Sequence, residues 1–200
     1  MTSGKRLFNK SNGVSLVYIQ RSINIVMKEI PYLAGVLYGD GTCHHGKNRA
    51  YAVWIDQVDR NKFVLDRVVD GLESLGLNVH YYAHQNKFRA LVYSKDFYNK
   101  FSSLRKDVVK FFKSLTVNQK LEFISGFFDA EGTVTDRLVL YNGNLKLLKS
   151  IKGFFDSIDV ISYIYRYGKI YGIQIYRKKS LMILKKKLNS EKINKLILSG

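Results

Sequence analysis

Apolar, small and acidic residues recur in the same order in two short stretches of the chain, residues 33–41 (LAGVLYGDG) and residues 124–132 (ISGFFDAEG). Over such a length, only a helix keeps the small positions on one stripe. A stripe of Gly, Ala and Ser lets a second backbone come close, and the glycine after each acid is typical of a helix end. The pattern predicts two helices packed side by side, with the carboxylates of Asp40 and Glu131 next to each other at their ends.

Around these two helices, the alternation of apolar and polar positions repeats one order of elements, αββαββα. The predicted segments are helix 31–40, hairpin 42–57, helix 60–75 capped by Asp59, hairpin 79–93 and helix 96–115, then a helix ending at Glu131, strand pair 133–142, helix 144–158, hairpin 160–176 and a helix from about residue 180. The duplication predicts an α+β protein of two pseudo-symmetric halves, residues 31–116 and 117–200, each with a four-stranded antiparallel sheet. Residues 1–30 are a predicted N-terminal extension, a flexible basic start followed by a short helix.

Composition adds a strong positive charge to this picture. The chain has 33 Lys and Arg residues against 16 Asp and Glu, which gives a formal net charge of +17 and a pI near 9.8. Such a surplus favours a polyanionic partner, most often a nucleic acid. An anionic membrane surface is the weaker alternative, since no stretch reaches the roughly 18 apolar residues of a membrane-spanning helix.

The cysteine content and the first residues of the chain exclude further classes of protein. The single cysteine, Cys43, excludes an internal disulfide and a cysteine-based zinc cluster. Residues 1–6 lead into mixed polar sequence and not into the apolar core of a signal peptide. We therefore expect an intracellular protein, cytoplasmic or organellar.

Two carboxylates held next to each other repel unless a cation lies between them. Hard oxygen ligands of this kind suit Mg²⁺, or Mn²⁺ in its place. A divalent ion there can generate hydroxide and stabilise the leaving oxygen of a phosphodiester. Asp40 and Glu131 are therefore the predicted metal ligands. The four histidines of the chain are a weaker candidate set for zinc, because they lack a tight ligand pattern.

Taken together, the two stretches resemble the signature of the LAGLIDADG homing endonucleases. The first matches closely, and the second is looser but keeps Gly126, the acid and the final glycine. Two copies in one chain are similar to the single-chain, pseudo-dimeric type with two motifs, and the chain resembles its archaeal intron-encoded members. Asp129, at a motif position where the family often carries an acid, is interpreted as a helix-interface or solvent residue and not as a ligand.

The resemblance also implies how the acids act and which residues surround them. Each acid would serve one strand of double-stranded DNA in a monomeric enzyme, leaving short 3′ overhangs. The backbone carbonyls of Gly39 and Ala130 would join the metal ligands. Polar side chains are expected to organise water at the scissile phosphates, and a lysine is expected near each acid. By repeat position the water-organising residues are Gln57 and Asn142, and the lysines are Lys113 and Lys186.

Strand parity predicts which side chains of the two sheets face DNA. If Tyr51, Val53 and Ile55 face the helices, the residues between them face outward, and the same alternation holds along the other hairpins. Arg and Gln can contact guanine and adenine edges in the major groove, Tyr and Trp can contact thymine methyl groups, and loop lysines can contact phosphates. The predicted DNA-binding residues are His44, Lys47, Arg49, Trp54, His80, Tyr82, His84, Lys87, Arg89, Thr135, Arg137, Val139, Tyr141, Tyr163, Tyr165, Tyr167, Lys169 and Gln174.

The function that follows is a site-specific double-strand DNA endonuclease, encoded by an intron or another mobile element. Because the two halves differ in sequence, its target is expected to be asymmetric. Two other functions are open on this fold: an RNA-binding intron maturase and a DNA-binding regulator without catalysis. The retained acids favour cleavage over the regulator. They discriminate poorly against the maturase, for which RNA binding without metal is the distinguishing observation.

Overall fold

The computed structural model describes residues 30–46 and 50–196, without the side chain of Arg60, and the described elements follow the predicted order. The predicted N-terminal extension, residues 1–30, lies outside the described residues except for Ile30. The first half contains α1 (Pro31–Asp40), β1 (Gly41–His45), β2 (Tyr51–Gln57), α2 (Lys62–Ser74), β3 (Val79–His84), β4 (Lys87–Tyr93) and α3 (Lys95–Ser114). The second contains α4 (Val117–Glu131), β5 (Gly132–Val134), β6 (Leu138–Asn142), α5 (Leu145–Asp156), β7 (Tyr163–Tyr167), β8 (Ile170–Ile175), α6 (Lys178–Lys187) and a further short helix, α7 (Glu191–Asn194).

The predicted α+β class with two halves of the order αββαββα is therefore confirmed. None of the helices within the described residues is long and apolar enough to cross a membrane. The helix α1 begins at Pro31, where proline fits because its missing N–H would have no partner inside the helix. The helix α4 begins after a capping box, in which Thr116 accepts from the backbone N–H of Gln119 and the Gln119 side chain accepts from that of Thr116.

Each half contains one four-stranded antiparallel sheet, with the strand order β1-β2-β4-β3 in the first half and β5-β6-β8-β7 in the second. In the first sheet Val53 pairs with Val92, and in the second Leu140 pairs with Ile173. All four of these side chains are buried against the helices. The helical layer therefore covers one face of each sheet, and the side chains of opposite parity lie on the other face.

The two signature helices, α1 and α4, pack backbone against backbone at their glycines. A Cβ atom added to Gly35 would lie 2.1 Å from the carbonyl oxygen of Phe123, and one added to Gly126 would lie 2.0 Å from that of Tyr32. No side chain fits at those distances, so both positions require glycine. The helix α1 is buried from Pro31 to Leu37, which places this contact at the centre of the molecule.

A layer of phenylalanine side chains joins the two halves behind the signature helices. Phe112, near the end of α3, packs against Phe123 of α4 with 5.6 Å between ring centroids. The same ring meets Phe154 of α5 edge-on at 6.3 Å. Phe112 and Phe123 are almost fully buried, so the last helix of the first half contributes to the core of the second.

The glycine that follows each signature helix differs from the expected helix stop. Gly41 and Gly132 have extended backbones, with φ/ψ of −71°/142° and −81°/149°, and not the left-handed conformation typical of a terminating glycine. A Cβ atom would instead lie 2.3 Å from the Leu37 carbonyl oxygen at Gly41 and 2.5 Å from the Phe128 ring at Gly132. Glycine is needed here because the strand leaves close against the last helical turn.

The remaining differences lie at element ends. Asp59 starts a short 3₁₀ turn, Asp59–Asn61, and does not cap α2. Residues 160–162 precede β7 and are not part of it, and the backbone N–H of Ile161 donates to Ser180 Oγ at 2.9 Å. The predicted stop after α2 holds, because Gly76 has a φ of +71° and the Leu77 N–H donates to the Leu72 carbonyl.

The helix contact generates a stability prediction. Gly126→Ala should destabilise the protein by roughly 3 kcal/mol, because the backbones of α1 and α4 must separate to admit a methyl group. Gly153→Ala is the matched control: it lies in α5, with no atom within 4 Å of an added Cβ. The control should gain about 0.5–1 kcal/mol from helix propensity. Urea denaturation measures both, and equal stability of the two variants would contradict the proposed tight contact.

Candidate active site

The carboxylates of Asp40 and Glu131 lie together where the ends of the two signature helices meet. A Cβ atom on Gly39 would lie 2.6 Å from Ala130 Cβ and 2.9 Å from Glu131 Cγ. The preceding glycine therefore brings the last turn of α1 against that of α4. This contact places the two acids at one end of the interface, next to the first strand of each sheet.

The environment of the pair disfavours two negative charges. Burial, followed by the charge of Asp40, raises the pKa of Glu131 to about 7, while the charge of Lys192 opposes the shift. Burial also raises the pKa of Asp40, against the hydrogen bond from Gln57 and the charges of Lys192 and Lys87. The two acids are thus held close together with only partial compensation from the protein.

Gln57 is the neighbour that directly contacts Asp40. It is the last residue of β2, and its side chain is almost fully buried. The Gln57 side-chain nitrogen donates to Asp40 Oδ2, and Gln57 Oε1 accepts from Asn61 Nδ2 at 3.3 Å. This second bond fixes which end of the amide points at the carboxylate.

Asn142 occupies the equivalent strand position, at the end of β6, but makes a different bond. Its Oδ1 accepts from the backbone N–H of Asn144 at 2.8 Å, at the start of α5. Asn144 in turn caps α5 through the N–H of Leu147. Gln57 and Asn142 therefore occupy equivalent positions in the repeat. Of the two, Gln57 is the one that donates a hydrogen bond to an acid.

Lys113 and Lys186, the lysines predicted beside the acids, are not among the charges that act on them. Lys113 lies in a surface depression between α3 and α5, beside Lys120 and Ser150. Lys186 lies on α6 beside Met182. The lysine charges that reach the acids are those of Lys192 and Lys87.

Lys192 is the functional candidate that the sequence did not reveal. It lies on α7, and its Nζ donates to the carbonyl oxygens of Ala130 and Gly132, both at 3.1 Å. The helix α7 follows the seven repeated elements of the second half, so the internal duplication contains no signal for it. A lysine in a lysine-rich segment is equally uninformative.

Asp129 lies at the helix interface and has no exposure to solvent. Its Oδ2 accepts from the Tyr32 hydroxyl at 3.0 Å, and its Oδ1 accepts from Ser190 Oγ at 2.6 Å and from the Lys192 backbone N–H at 3.3 Å. Of the two alternatives, a helix-interface or a solvent residue, the structure therefore selects the first. The carboxylate ties α1, α4 and α7 together.

The outer faces of the sheets carry most of the predicted DNA-binding residues. Strand pairing places on these faces His44, Trp54, His80, Tyr82, His84, Lys87, Arg89, Val139, Tyr141, Tyr163, Tyr165, Tyr167 and Gln174. Lys169 lies in the exposed turn between β7 and β8, and Thr135 and Arg137 lie in the exposed β5–β6 connection. Lys47 and Arg49 lie outside the described residues.

Several of these side chains are already engaged within the protein. Arg137 forms an ion pair with Asp136 at 2.8 Å, and the Thr135 hydroxyl donates to the same carboxylate. Val139 is only 6% exposed, because it lies on a central strand and is paired with Thr133 on one side and Gln174 on the other. In the described part of the chain, no three His, Cys, Asp or Glu residues come together as a metal site.

A row of charged and aromatic residues crosses the outer face of the first sheet. Asp56, Arg89 and Tyr82 lie side by side on three neighbouring strands. Arg89 Nε and Nη2 donate to the two oxygens of Asp56 at 2.6 and 2.8 Å. The guanidinium also lies over the Trp54 ring, 5.2 Å from its centroid. Arg89 is therefore held in one orientation.

The matching row of the second sheet has no charge. It consists of Tyr141, Gly172 and Tyr165 on the equivalent strands. The Tyr165 hydroxyl donates to that of Tyr141 at 3.2 Å, and a Cβ on Gly172 would lie 2.9 Å from the Tyr165 ring. The two outer faces thus differ in chemistry at the same position of the repeat.

The fold of this chain is similar to the LAGLIDADG homing endonuclease fold. Residues 118–189 match the family model of the LAGLIDADG-like domain. The fold is similar to that of the homing endonuclease I-DmoI in complex with DNA and Mn, with a TM-score of 0.67 and 21% identity over 83% of this chain and 99% of that one. It is also similar to the homing endonuclease I-WcaI bound to its DNA recognition sequence, with a TM-score of 0.64 and 11% identity over 96% of each chain.

The predicted resemblance to the two-motif type is therefore confirmed. Among curated proteins, the uncharacterized protein MJ0398 of the archaeon Methanocaldococcus jannaschii is 30% identical over 144 residues. The alignment covers 68% of this chain and 51% of the relative, so the chain spans about half the length of that protein.

The raised pKa of the partly buried Glu131 predicts how the stability of the metal-free protein depends on pH. A folded-state pKa of about 7 for Glu131, against 4.5 for the free side chain, means that the folded state binds the extra proton between these values. Protonation of Glu131 therefore adds to the free energy of unfolding. This contribution is fully present below pH 4.5 and is lost as the pH rises through about 7. Glu131→Gln should reduce this decline in the free energy of unfolding, measured by urea denaturation in EDTA. Glu122→Gln, an exposed change on the same helix, is the control, and identical pH profiles for Glu131→Gln and the wild type would contradict the burial effect.

Proposed function

We propose that the protein is a site-specific double-strand DNA endonuclease that depends on a divalent metal and is encoded by an intron. The observation that carries this proposal is the juxtaposition of Asp40 and Glu131 at the end of the α1–α4 contact, in an environment that raises the pKa of both acids. A protein keeps two such carboxylates together at a cost to its own stability. Perturbed acids at a shared site are typical of functional centres.

The donor atoms at this site fit a hard divalent cation. Two carboxylates and the backbone carbonyls of Gly39 and Ala130 offer oxygen ligands, which suit Mg²⁺ or Mn²⁺. When bound, such a cation supplies an activated water and stabilises the leaving oxygen of the phosphodiester. Asp40 and Glu131 would hold it, and Gln57, fixed by Asn61, would hold Asp40 in the ligating orientation.

The proposed DNA surface is the pair of outer sheet faces. We propose that residues 31–116 and 117–200 each contact one half of the target, and that each acid serves one strand. The net charge of +17 supports a polyanionic partner. The structures of I-DmoI with DNA and Mn and of I-WcaI with its recognition sequence support double-stranded DNA as that partner.

The difference between the two rows supports an asymmetric target. Arg89, oriented by Asp56 and Trp54, is suited to guanine, whose O6 and N7 accept two parallel hydrogen bonds from a guanidinium. Tyr141 and Tyr165, in the matching row, offer aromatic surface and hydroxyls without charge. We therefore propose a G·C pair opposite Arg89 and a different base pair at the matching position of the other half-site.

The proposed activity predicts cutting of DNA that requires metal. A randomised duplex library incubated with Mg²⁺ should yield recurrent cut ends within one long asymmetric sequence, and EDTA should prevent this. Asp40→Asn should abolish cleavage and leave binding largely intact, because the acid contacts the metal and not the bases. Cutting by this variant at the wild-type rate would remove Asp40 from the metal site.

Two other outcomes separate the competing functions. Specific binding of the library without cutting would indicate a DNA-binding regulator. Neither binding nor cutting, together with metal-independent binding of intron RNA, would indicate a maturase.

Arg89 generates a prediction about target sequence. Arg89→Ala should relax selection at one base pair of the target by about 1–3 kcal/mol and leave the other positions unchanged. The control is Lys169→Ala, an exposed turn residue expected to contact phosphate, which should weaken all sequences alike and reduce the dependence on salt. Sequencing of the cleaved library measures both. An unchanged base profile for Arg89→Ala would mean that the Asp56 ion pair is purely structural.

A further inference from the structure

The ammonium group of Lys192 lies at the end of α4, beside the acid pair. Its Nζ donates to the carbonyl oxygens of Ala130 and Gly132, the two residues that flank Glu131 in the chain. The charge of Lys192 thus acts on both carboxylates. The ammonium also engages the Ala130 carbonyl, which is one of the oxygen atoms proposed to hold the metal.

The position of this ammonium is set by a buried anchor. Asp129 accepts hydrogen bonds from Ser190 Oγ and from the backbone N–H of Lys192, and has no exposure to solvent. The same carboxylate accepts from the Tyr32 hydroxyl of α1. The start of α7 is therefore fixed to both signature helices, which leaves only the lysine side chain to move.

A second contact holds the same segment from the first half. Arg67 Nη1 donates to the Asn189 carbonyl at 2.9 Å, and its guanidinium lies 3.4 Å from the centroid of the Tyr32 ring. The two contacts come from different elements, α2 and α4, and converge on residues 189–192. A lysine that only faced solvent would not need its segment to be held by contacts from two other helices.

We propose that Lys192 is the resident counter-ion of the Asp40–Glu131 pair, and that its ammonium leaves the Ala130 carbonyl when a divalent cation binds. This inference rests on the proposed metal site. A lysine at this position neutralises part of the charge of the Asp40–Glu131 pair before a cation binds. It also repels a second cation and occupies one of its ligands, so it lowers the affinity of the DNA-free protein for metal.

The test is titration of the full chain with Mn²⁺ by calorimetry, without DNA and at one fixed pH. Lys192→Met should bind Mn²⁺ roughly tenfold more tightly than the wild type, because both the repulsion and the competition for the carbonyl are removed. Lys192→Arg keeps the charge and the donors, and should stay close to the wild type. Lys195→Met is the matched control, since Lys195 and Lys192 both line one surface groove beside β5, while Lys195 Nζ lies over the Phe63 ring. It should leave the affinity unchanged.

Unchanged or weaker binding by Lys192→Met would overturn the counter-ion role while leaving the metal site intact. Equal tightening by Lys195→Met would also overturn it, because the effect would then be one of net charge alone. If Lys192→Met fails to fold, Lys192→Gln removes the charge, keeps a donor for the carbonyls and should tighten binding in the same sense. Failure of every variant and of the wild type to bind Mn²⁺ would overturn the metal site together with this inference.

Discussion

The structure depends on one contact, in which the backbones of two helices touch at glycine. Gly35 and Gly126 leave no room for a side chain between α1 and α4, and Gly39 extends the same contact to the helix ends. Close packing of this kind fixes the position of the last helical turns, because a core filled to crystal density cannot shift by fractions of an ångström without loss. The same contact sets the positions of the two acids, since each acid is the last residue of its helix. It also sets where the two sheets begin, because the first strand of each sheet starts at the glycine directly after the acid.

The close contact between α1 and α4 also lowers the stability of the folded chain at the active-site end. Two partly buried carboxylates are brought together, and the pKa of both is raised. The remaining contacts of the site serve to offset that repulsion: Gln57 donates to Asp40, and the Lys192 ammonium lies at the carbonyls beside Glu131. The compensation is unequal between the halves, because the amide comes from a strand of the first half and the ammonium from the last described helix of the second, which has no counterpart among the described elements of the first.

Site residues that belong to a local motif or to a strand alternation could be predicted from the sequence. Residues that reach the site only through the tertiary fold could not. The acids and their glycines form a local motif, and strand parity assigned Trp54, Arg89 and Tyr141 to the outer faces. Lys113 is not among the charges that act on the acids, and repeat symmetry alone does not determine where a flexible side chain ends. Lys192 was missed because α7 has no counterpart in the repeat. The role of Gly41 was misjudged because sequence cannot distinguish a glycine chosen for its backbone angles from one chosen for lack of space.

The buried carboxylate of Asp129 has a consequence for how such a chain can change. Its partners come from α1 and from the segment that begins α7, so it belongs to neither half alone. Exchange of the first half for one lacking a hydroxyl at the position of Tyr32 would leave Asp129 Oδ2 buried without its donor, at a cost of about 1–3 kcal/mol, while Oδ1 would keep its bonds from Ser190 and Lys192. The two halves have the same topology, yet each depends on a side chain of the other through the hydrogen bond from Tyr32 to Asp129. Recombination with a foreign half would therefore be tolerated only when that half also supplies a hydroxyl at the position of Tyr32.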